Sequence, residues 1–166
     1  MVIRKAHKSI FVDERYGLIK NIYNLPTFAG LPRVHVKMAF GGNYFTAGFN
    51  ASGAGITERS AENSAIGEYI ERYSCLHPRA EIVTCESDRK ILPSVFNAGV
   101  DDVLENYDWI KAINVIDSTQ VQIPIDCVYL AYRSKGNSWI TTSTGAACGE
   151  SLEQCMWKGI AEIFER

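Results

Sequence analysis

The sequence lacks the features that tie a protein to a membrane or to nucleic acid. No stretch approaches the roughly 20 apolar residues that a membrane-spanning helix needs, and the opening MVIRKAHKSIFVDERYG has no apolar run like that of a signal peptide. The formal net charge is only -2, with 17 basic residues mixed among 19 acidic ones, so no basic face is predicted. We therefore expect a globular protein that binds neither a membrane nor nucleic acid.

Cysteines are few and scattered. An odd number without CxxC pairs or zinc-like spacing is typical of a reduced protein, so we expect a cytoplasmic location. The five are Cys75, Cys85, Cys127, Cys148 and Cys155.

Short apolar segments separated by turns dominate what is present. VHVKMAF (34–40) alternates as a half-buried strand does, and YFTAGFNA (44–51) is expected to return as its hairpin partner. We predict an α+β fold, largely an antiparallel sheet with two long helices packed on it. The further predicted elements are a Gly-rich turn at 52–57, a helix at about 58–76, strands in 80–87, 110–117, 121–132 and 138–145, a short helix from Pro93, and a helix from Ser151.

The motif Glu-x-x-Glu-Arg ends both long helices, in SAIGEYIER (64–72) and again 94 residues later in KGIAEIFER (158–166). At about 100° per residue, each helix gathers its polar residues on one stripe and its apolar residues opposite. The polar stripes hold Ser64, Glu68, Glu71 and Arg72, and Lys158, Glu162, Glu165 and Arg166. The residues expected in the core are Ile66, Ile70 and Tyr73, and Trp157, Ile160 and Phe164.

The repeat extends to the start of each helix, where Gly55 and Thr57 correspond to Gly149 and Ser151. Four carboxylates on two helices suit a hard divalent cation, and Mg²⁺ prefers a few carboxylates together with phosphate oxygens. Helix N-termini behind glycines can receive anionic groups. The pattern indicates a metal-bridged nucleotide phosphate, in a site without the P-loop sequence.

Three other interpretations use the same residues. Glutamate–arginine pairs four residues apart are most often solvated surface salt bridges, which would make the chain a non-catalytic peptide- or nucleotide-binding module. A di-iron bundle would need Glu-x-x-His, and all three histidines lie outside the motifs. A glycosidase would use two carboxylates but demands neither the arginines nor the glycine turns.

The paired motifs resemble those of the YcaO domain family. The first signature matches SGAGIT followed by Ser64, Glu68, Glu71 and Arg72. The second resembles STGAACGESLEQCMWKGIAEIFER (143–166), preceded by the strand-like VQIPIDCVYL.

The resemblance implies ATP-dependent activation of a peptide amide, by phosphorylation of its oxygen. In many members a Cys, Ser or Thr side chain of a ribosomal precursor peptide then closes an azoline ring, as in thiazole/oxazole-modified bacteriocins. Thioamide formation or another modification is the alternative within the family. The resemblance also implies ATP and Mg²⁺ as cofactors and a leader-peptide-binding partner resembling ubiquitin-activating (E1-like) enzymes. A homodimer is a further expectation for the assembly.

By the same resemblance, the four glutamates of the motifs are metal ligands and also nucleotide contacts: Glu68, Glu71, Glu162 and Glu165. Ser64, Arg72 and Arg166 are further nucleotide contacts. Many relatives carry Gly-Lys-Gly where this chain has Gly53-Ala54-Gly55, so Arg59 or Lys158 is expected to replace that lysine.

Family members also continue beyond the second signature helix. The expectation is therefore that residues 1–166 form the N-terminal portion of one YcaO-like domain. That portion would be inactive alone and would expose apolar surface, and no catalytic residue is assigned in it.

Overall fold

The computed structural model describes residues 11–27, 33–41, 50–83, 89–97, 99–134 and 142–166. The chain divides into two compact units. Unit 1 comprises Met1–Tyr73 and Thr144–Arg166, and unit 2 comprises Ser74–Ser143. That residues 1–166 belong to the N-terminal portion of a single domain stays a prediction.

Unit 1 contains an antiparallel sheet of order β1-β2-β3, formed by Asn21–Leu25, His35–Phe40 and Asn50–Gly55. The alternation in VHVKMAF correctly predicts β2, and β3 is its antiparallel neighbour. The Gly-rich segment predicted as a turn is instead the end of β3, so that prediction is wrong. Its small residues serve close packing against a helix.

Helix α1 spans Glu58–Leu76, as predicted, and lies against this sheet. A Cβ built on Gly53 would lie only 2.1 Å from the backbone nitrogen of Ala65, so the helix and strand approach closely because glycine is there. Ile70 is fully buried, and Ile66 and Tyr73 pack partly buried against the core of unit 1, which confirms the predicted apolar side of α1. That core consists of Ile19, Ala39, Ala51, Ala65 and Tyr69.

Helix α3 spans Leu152–Glu165 and belongs to unit 1. It buries Cys155 and Gly159, whereas Trp157 and Phe164 are 66% and 87% exposed. The prediction that these two aromatic residues lie in the core is therefore wrong. The side of α3 that packs within unit 1 is its polar side, because the buried Cys155 and Gly159 lie on the same side of the helix as Glu162 and Arg166.

Unit 2 contains a second antiparallel sheet, of order β4-β5-β6, with a core around Trp109 and Tyr107. Pro124 ends β6, which lies at an end of this strand order as the proline predicts. Asp126 is fully buried and accepts hydrogen bonds from the backbone N–H and the hydroxyl of Ser134. The elements are β4 (Ile82–Val83), α2 (Pro93–Phe96), β5 (Trp109–Ile113) and β6 (Gln120–Pro124), with 3-10 turns at Leu104–Asn106 and Ile125–Cys127.

The α+β prediction is confirmed, with two three-stranded antiparallel sheets in the described residues rather than one. The parts of the predicted strands that fall on 44–49, 84–87 and 138–141 lie outside the described residues. In the part of the chain that the structure describes, no helix combines the length and apolar character needed to cross a bilayer.

The contact between α1 and β3 generates a stability prediction. Gly53→Ala should lower the free energy of unfolding by about 1–3 kcal/mol, because the new methyl group forces the helix and sheet apart. Gly67→Ala is the matched control: a Cβ there meets nothing within 4 Å, and alanine favours the helix. Denaturant unfolding measures both. Equal stability of the two variants would contradict the close packing.

Candidate functional site

Both long helices begin with a side-chain cap. At α1, Thr57 Oγ1 accepts from the backbone N–H of Ser60 at 3.1 Å, and Ser60 Oγ accepts from the N–H of Thr57 at 3.1 Å. At α3, Ser151 Oγ accepts from the N–H of Gln154 at 3.1 Å, and Gln154 Oε1 accepts from the N–H of Glu150 at 2.7 Å. These caps fix where each helix starts, and hence which way the glutamates that follow are directed.

The arginine of each motif makes two contacts, one with the glutamate four residues earlier and one with the residue 22 positions earlier. Arg72 pairs with Glu68 and donates from Nη1 to the carbonyl oxygen of Asn50 at 3.4 Å. Arg166 pairs with Glu162 at 2.9 Å.

Arg166 also donates from Nη1 to Thr144 Oγ1 at 3.1 Å. Thr144 follows Asn50 by the same 94 residues that separate the two arginines. The sequence repeat is thus a repeat of contacts as well.

Glu71 lies where the acidic stripes of the two helices meet. Its carboxyl is half-buried, and burial is the main reason that its pKa rises to about 7. The negative charges of Glu68 and Glu162 raise this pKa further, while Arg72 and the backbone N–H of Cys148 oppose them. The charge of Glu162 reaches Glu71 across the two helices, so α1 and α3 contribute to one electrostatic site.

The turn before α3 contacts two side chains of that helix, Glu162 and Lys158. The backbone N–H of Gly145 donates to Glu162 Oε2 at 3.3 Å, and Lys158 Nζ donates to the carbonyl oxygen of Cys148 at 2.9 Å. The sequence analysis did not find Thr144, Gly145 or Cys148 as site residues. Two of them act through backbone atoms, and the small residues of STGAACG were the signal for such a role.

The structure brings together Glu68, Glu71, Glu162 and Arg72, and it places Arg166 beside Glu162. Ser64 and Glu165 are exposed positions on the same two helices. The roles assigned to all seven residues by resemblance stay predictions.

The lysine that relatives carry at Ala54 has no equivalent on β3. Ala54 and Arg59 are exposed, and Lys37 Nζ, from the neighbouring strand, lies 3.5 Å from Glu58 Oε2 at the start of α1.

Lys158 contacts the Cys148 carbonyl, and the Cys148 N–H reaches Glu71. Of the two substitutes expected from the sequence, Lys158 is therefore the one with a contact to the site.

The site suits a divalent cation that arrives with phosphate. Among the described residues, no group of three or more His, Cys, Asp and Glu side chains is arranged to hold a metal ion by itself. Mg²⁺ at nucleotide sites is usually bound by one or two carboxylates together with waters and phosphate oxygens. Glu71 and Glu162 provide two carboxylates of this kind, and the charges of Glu68 and Glu162 add to burial in raising the pKa of Glu71, an effect that a cation would oppose.

A family model matches residues 52–166, more than half of the chain. Its description is YcaO cyclodehydratase, ATP- and Mg²⁺-binding. A curated relative, an uncharacterised protein of Methanothermobacter thermautotrophicus, is 28% identical over 122 residues, which are 69% of this chain and 32% of that protein.

Three solved structures share the fold. The YcaO protein of Methanopyrus kandleri, bound with AMPPCP and Mg²⁺, has a TM-score of 0.67 at 20% identity, over 87% of this chain and 36% of that one. A heterocyclase in complex with substrate and cofactor has a TM-score of 0.72 at 18% identity, over 92% of this chain and 25% of that one.

The third is the microcin synthetase McbBCD complex of E. coli, with a TM-score of 0.57 at 22% identity, over 86% of this chain and 38% of that one. The chain thus spans between a quarter and two fifths of the length of these relatives.

The environment of Glu71 generates a prediction about pH. Its pKa is about 7 in the folded protein against an ordinary 4.5, so between these values the folded protein holds more protons than the unfolded chain. The free energy of unfolding should therefore fall as pH rises from about 4.5 to about 7. Glu71→Gln should remove this part of the dependence, as measured by denaturant unfolding at pH 5 and pH 8.

Asn63→Gln, an uncharged change at an exposed position of the same helix, is the control and should keep the wild-type slope. A Glu71→Gln variant with the wild-type pH dependence would show that Glu71 is not the titrating group.

Proposed function

The chain belongs to the YcaO family, and on that premise we propose that its α1–α3 site binds Mg²⁺–ATP to activate a peptide amide. The observation that carries the proposal is the meeting of two Glu-x-x-Glu-Arg helices at Glu71, where Glu162 of α3 acts on a carboxyl group of α1. A surface salt bridge would need only one helix. Carboxylates that meet from two helices can share one cation.

In this proposal Glu71 and Glu162 hold Mg²⁺, with Glu68 and Glu165 completing the acidic ring around it. Bound Mg²⁺ would neutralise phosphate charge and orient the terminal phosphate for transfer. Arg72 and Arg166 are paired with Glu68 and Glu162, and in this proposal both guanidinium groups also contact phosphate oxygens.

Other polar groups complete the nucleotide contacts. Ser64 lies one helical turn before Glu68 and is the proposed hydroxyl contact. Lys158 takes the role of the lysine that relatives carry at Ala54, because its amine already reaches the site through the Cys148 carbonyl.

The proposed reaction is cyclodehydration of Cys, Ser or Thr in a ribosomal precursor peptide, with loss of one water for each azoline ring. The family description supports this class of reaction. The solved relatives, all below 25% identity, support the fold, and they include a heterocyclase in complex with substrate and a synthetase complex. Thioamide formation uses the same amide activation and is the alternative outcome. The proposed partners are a precursor peptide and a leader-binding, E1-like protein, with a homodimer as a further assembly.

Nucleotide binding should require Mg²⁺. Without the cation, the carboxylates of Glu68, Glu71 and Glu162 repel the phosphates, so calorimetric titration with AMPPCP should show at least tenfold weaker binding in EDTA than with Mg²⁺. Glu162→Gln should weaken the Mg²⁺-dependent binding, and Asn63→Gln should not. Equal affinity with and without Mg²⁺ would remove the metal from the proposal.

Peptide chemistry should be visible by mass. Incubating the full-length protein, of which residues 1–166 are expected to be the N-terminal portion, with Mg²⁺–ATP, a precursor peptide and its leader-binding partner should give a product lighter by about 18 Da per ring, the mass of one water. Residues 1–166 alone should give no such product. Arg166→Ala should reduce this product, because the guanidinium that faces phosphate is lost. In a parallel reaction with added sulfide as the sulfur donor, a product about 16 Da heavier, in which sulfur replaces the amide oxygen, would instead establish thioamide formation.

A further inference from the structure

The turn that precedes α3 packs directly against the helix backbone at Gly159, where only glycine fits. A Cβ built on Gly159 would lie 2.5 Å from the carbonyl oxygen of Gly145 and 3.3 Å from its carbonyl carbon. Gly145 itself has φ +85°, a left-handed conformation that favours glycine. Two glycines, 14 residues apart, therefore allow the turn to rest directly on the backbone of α3.

This close approach allows the Thr144–Gly145 turn to contact two residues that follow Gly159 on the helix. The Gly145 N–H donates to Glu162 Oε2 at 3.3 Å, and Thr144 Oγ1 accepts from Arg166 Nη1 at 3.1 Å. Glu162 Oε1 is meanwhile paired with Arg166 at 2.9 Å. Both oxygens of this carboxylate and one arm of the guanidinium are thus oriented by contacts that depend on the position of the turn.

α1 lacks this arrangement although it carries the same motif. The residue 94 positions before Gly159 is Ala65, whose backbone nitrogen lies against Gly53 of β3. At α1 the glycine lies on the strand, at Gly53, and not on the helix. Arg72 donates to a backbone carbonyl oxygen there, whereas Arg166 donates to a hydroxyl. At the corresponding positions, α3 has Gly159 in the helix and its turn has a hydroxyl-bearing residue, whereas α1 has Ala65 and its strand has Asn50.

From this we infer that the Thr144–Gly145 turn is a positioning element that aims Glu162 and Arg166 at Mg²⁺–nucleotide, and that Gly159 is the residue on which it depends. The inference rests on the proposed function and adds residues that touch neither metal nor nucleotide. Thr144, Gly145 and Gly159 act through the two side chains that do.

The first test compares Gly159→Ala with Gly67→Ala. Both place a methyl group in a helix interior, but at Gly67 it meets nothing within 4 Å. Calorimetry with Mg²⁺ and AMPPCP should show affinity at least tenfold weaker for Gly159→Ala and unchanged for Gly67→Ala. Circular dichroism reports whether Gly159→Ala is folded, and if it is not, the next pair of variants carries the test.

Thr144→Val keeps the size of the side chain and removes the hydroxyl, whereas Thr144→Ser keeps the hydroxyl. We expect Thr144→Val to weaken Mg²⁺–AMPPCP binding several-fold and Thr144→Ser to restore it. Rescue by serine separates positioning from packing, because packing would follow the methyl group that valine retains.

A third readout needs no nucleotide. The amide resonance of Gly145 in a ¹H–¹⁵N spectrum should move in Glu162→Gln, since that amide donates to the carboxylate, and should stay in place in Asn63→Gln. A wild-type protein that does not bind Mg²⁺–AMPPCP would refute the proposed function, and the positioning role with it. A wild-type protein that binds, with Thr144→Val binding equally well and an unmoved Gly145 resonance, would overturn the positioning role alone.

Discussion

The site depends on one electrostatic constraint, the carboxyl group of Glu71 held half out of water beside two other carboxylates. Burial alone disfavours its charge, and the charges of Glu68 and Glu162 add to that cost. The fold retains the group because Arg72 and the Cys148 N–H partly offset the negative potential. In the proposed function, a divalent cation bound with phosphate would offset this remaining cost.

The rest of unit 1 serves to hold that cluster. Small residues bring α1 onto the sheet, with Gly53 against Ala65, and let the turn rest on α3 at Gly159. Each helix then presents a glutamate–arginine pair whose second anchor lies 22 residues earlier, at Asn50 or Thr144. Because Asn50 and Thr144 are separated by the same 94 residues as the two motifs, the sequence repeat corresponds to two glutamate–arginine pairs that are held by similar contacts.

Much of this could be predicted from the sequence because it is local. Periodicity gave the bounds of α1, the hydroxyl caps set the start of α3, and the spacing of the glutamates gave the polar stripes. What could not be predicted depends on contacts between distant segments. SGAG looks like a turn, and its place in β3 follows only from the neighbouring strand. The exposure of Trp157 and Phe164 likewise depends on which edge of α3 meets unit 1.

The same distinction explains which site residues were missed. Glutamate and arginine carry their chemistry in side chains, so their spacing is visible in the sequence. Gly145 and Cys148 act through backbone N–H groups, which every residue except proline possesses, and only the fold selects the two that face carboxylates. The glycines at 145 and 159 reflect that selection in the sequence. A side chain at 159 would keep the two backbones apart, and the positive φ at 145 favours glycine. The motif therefore specifies the charges of the site, and the glycines beside it specify where those charges lie.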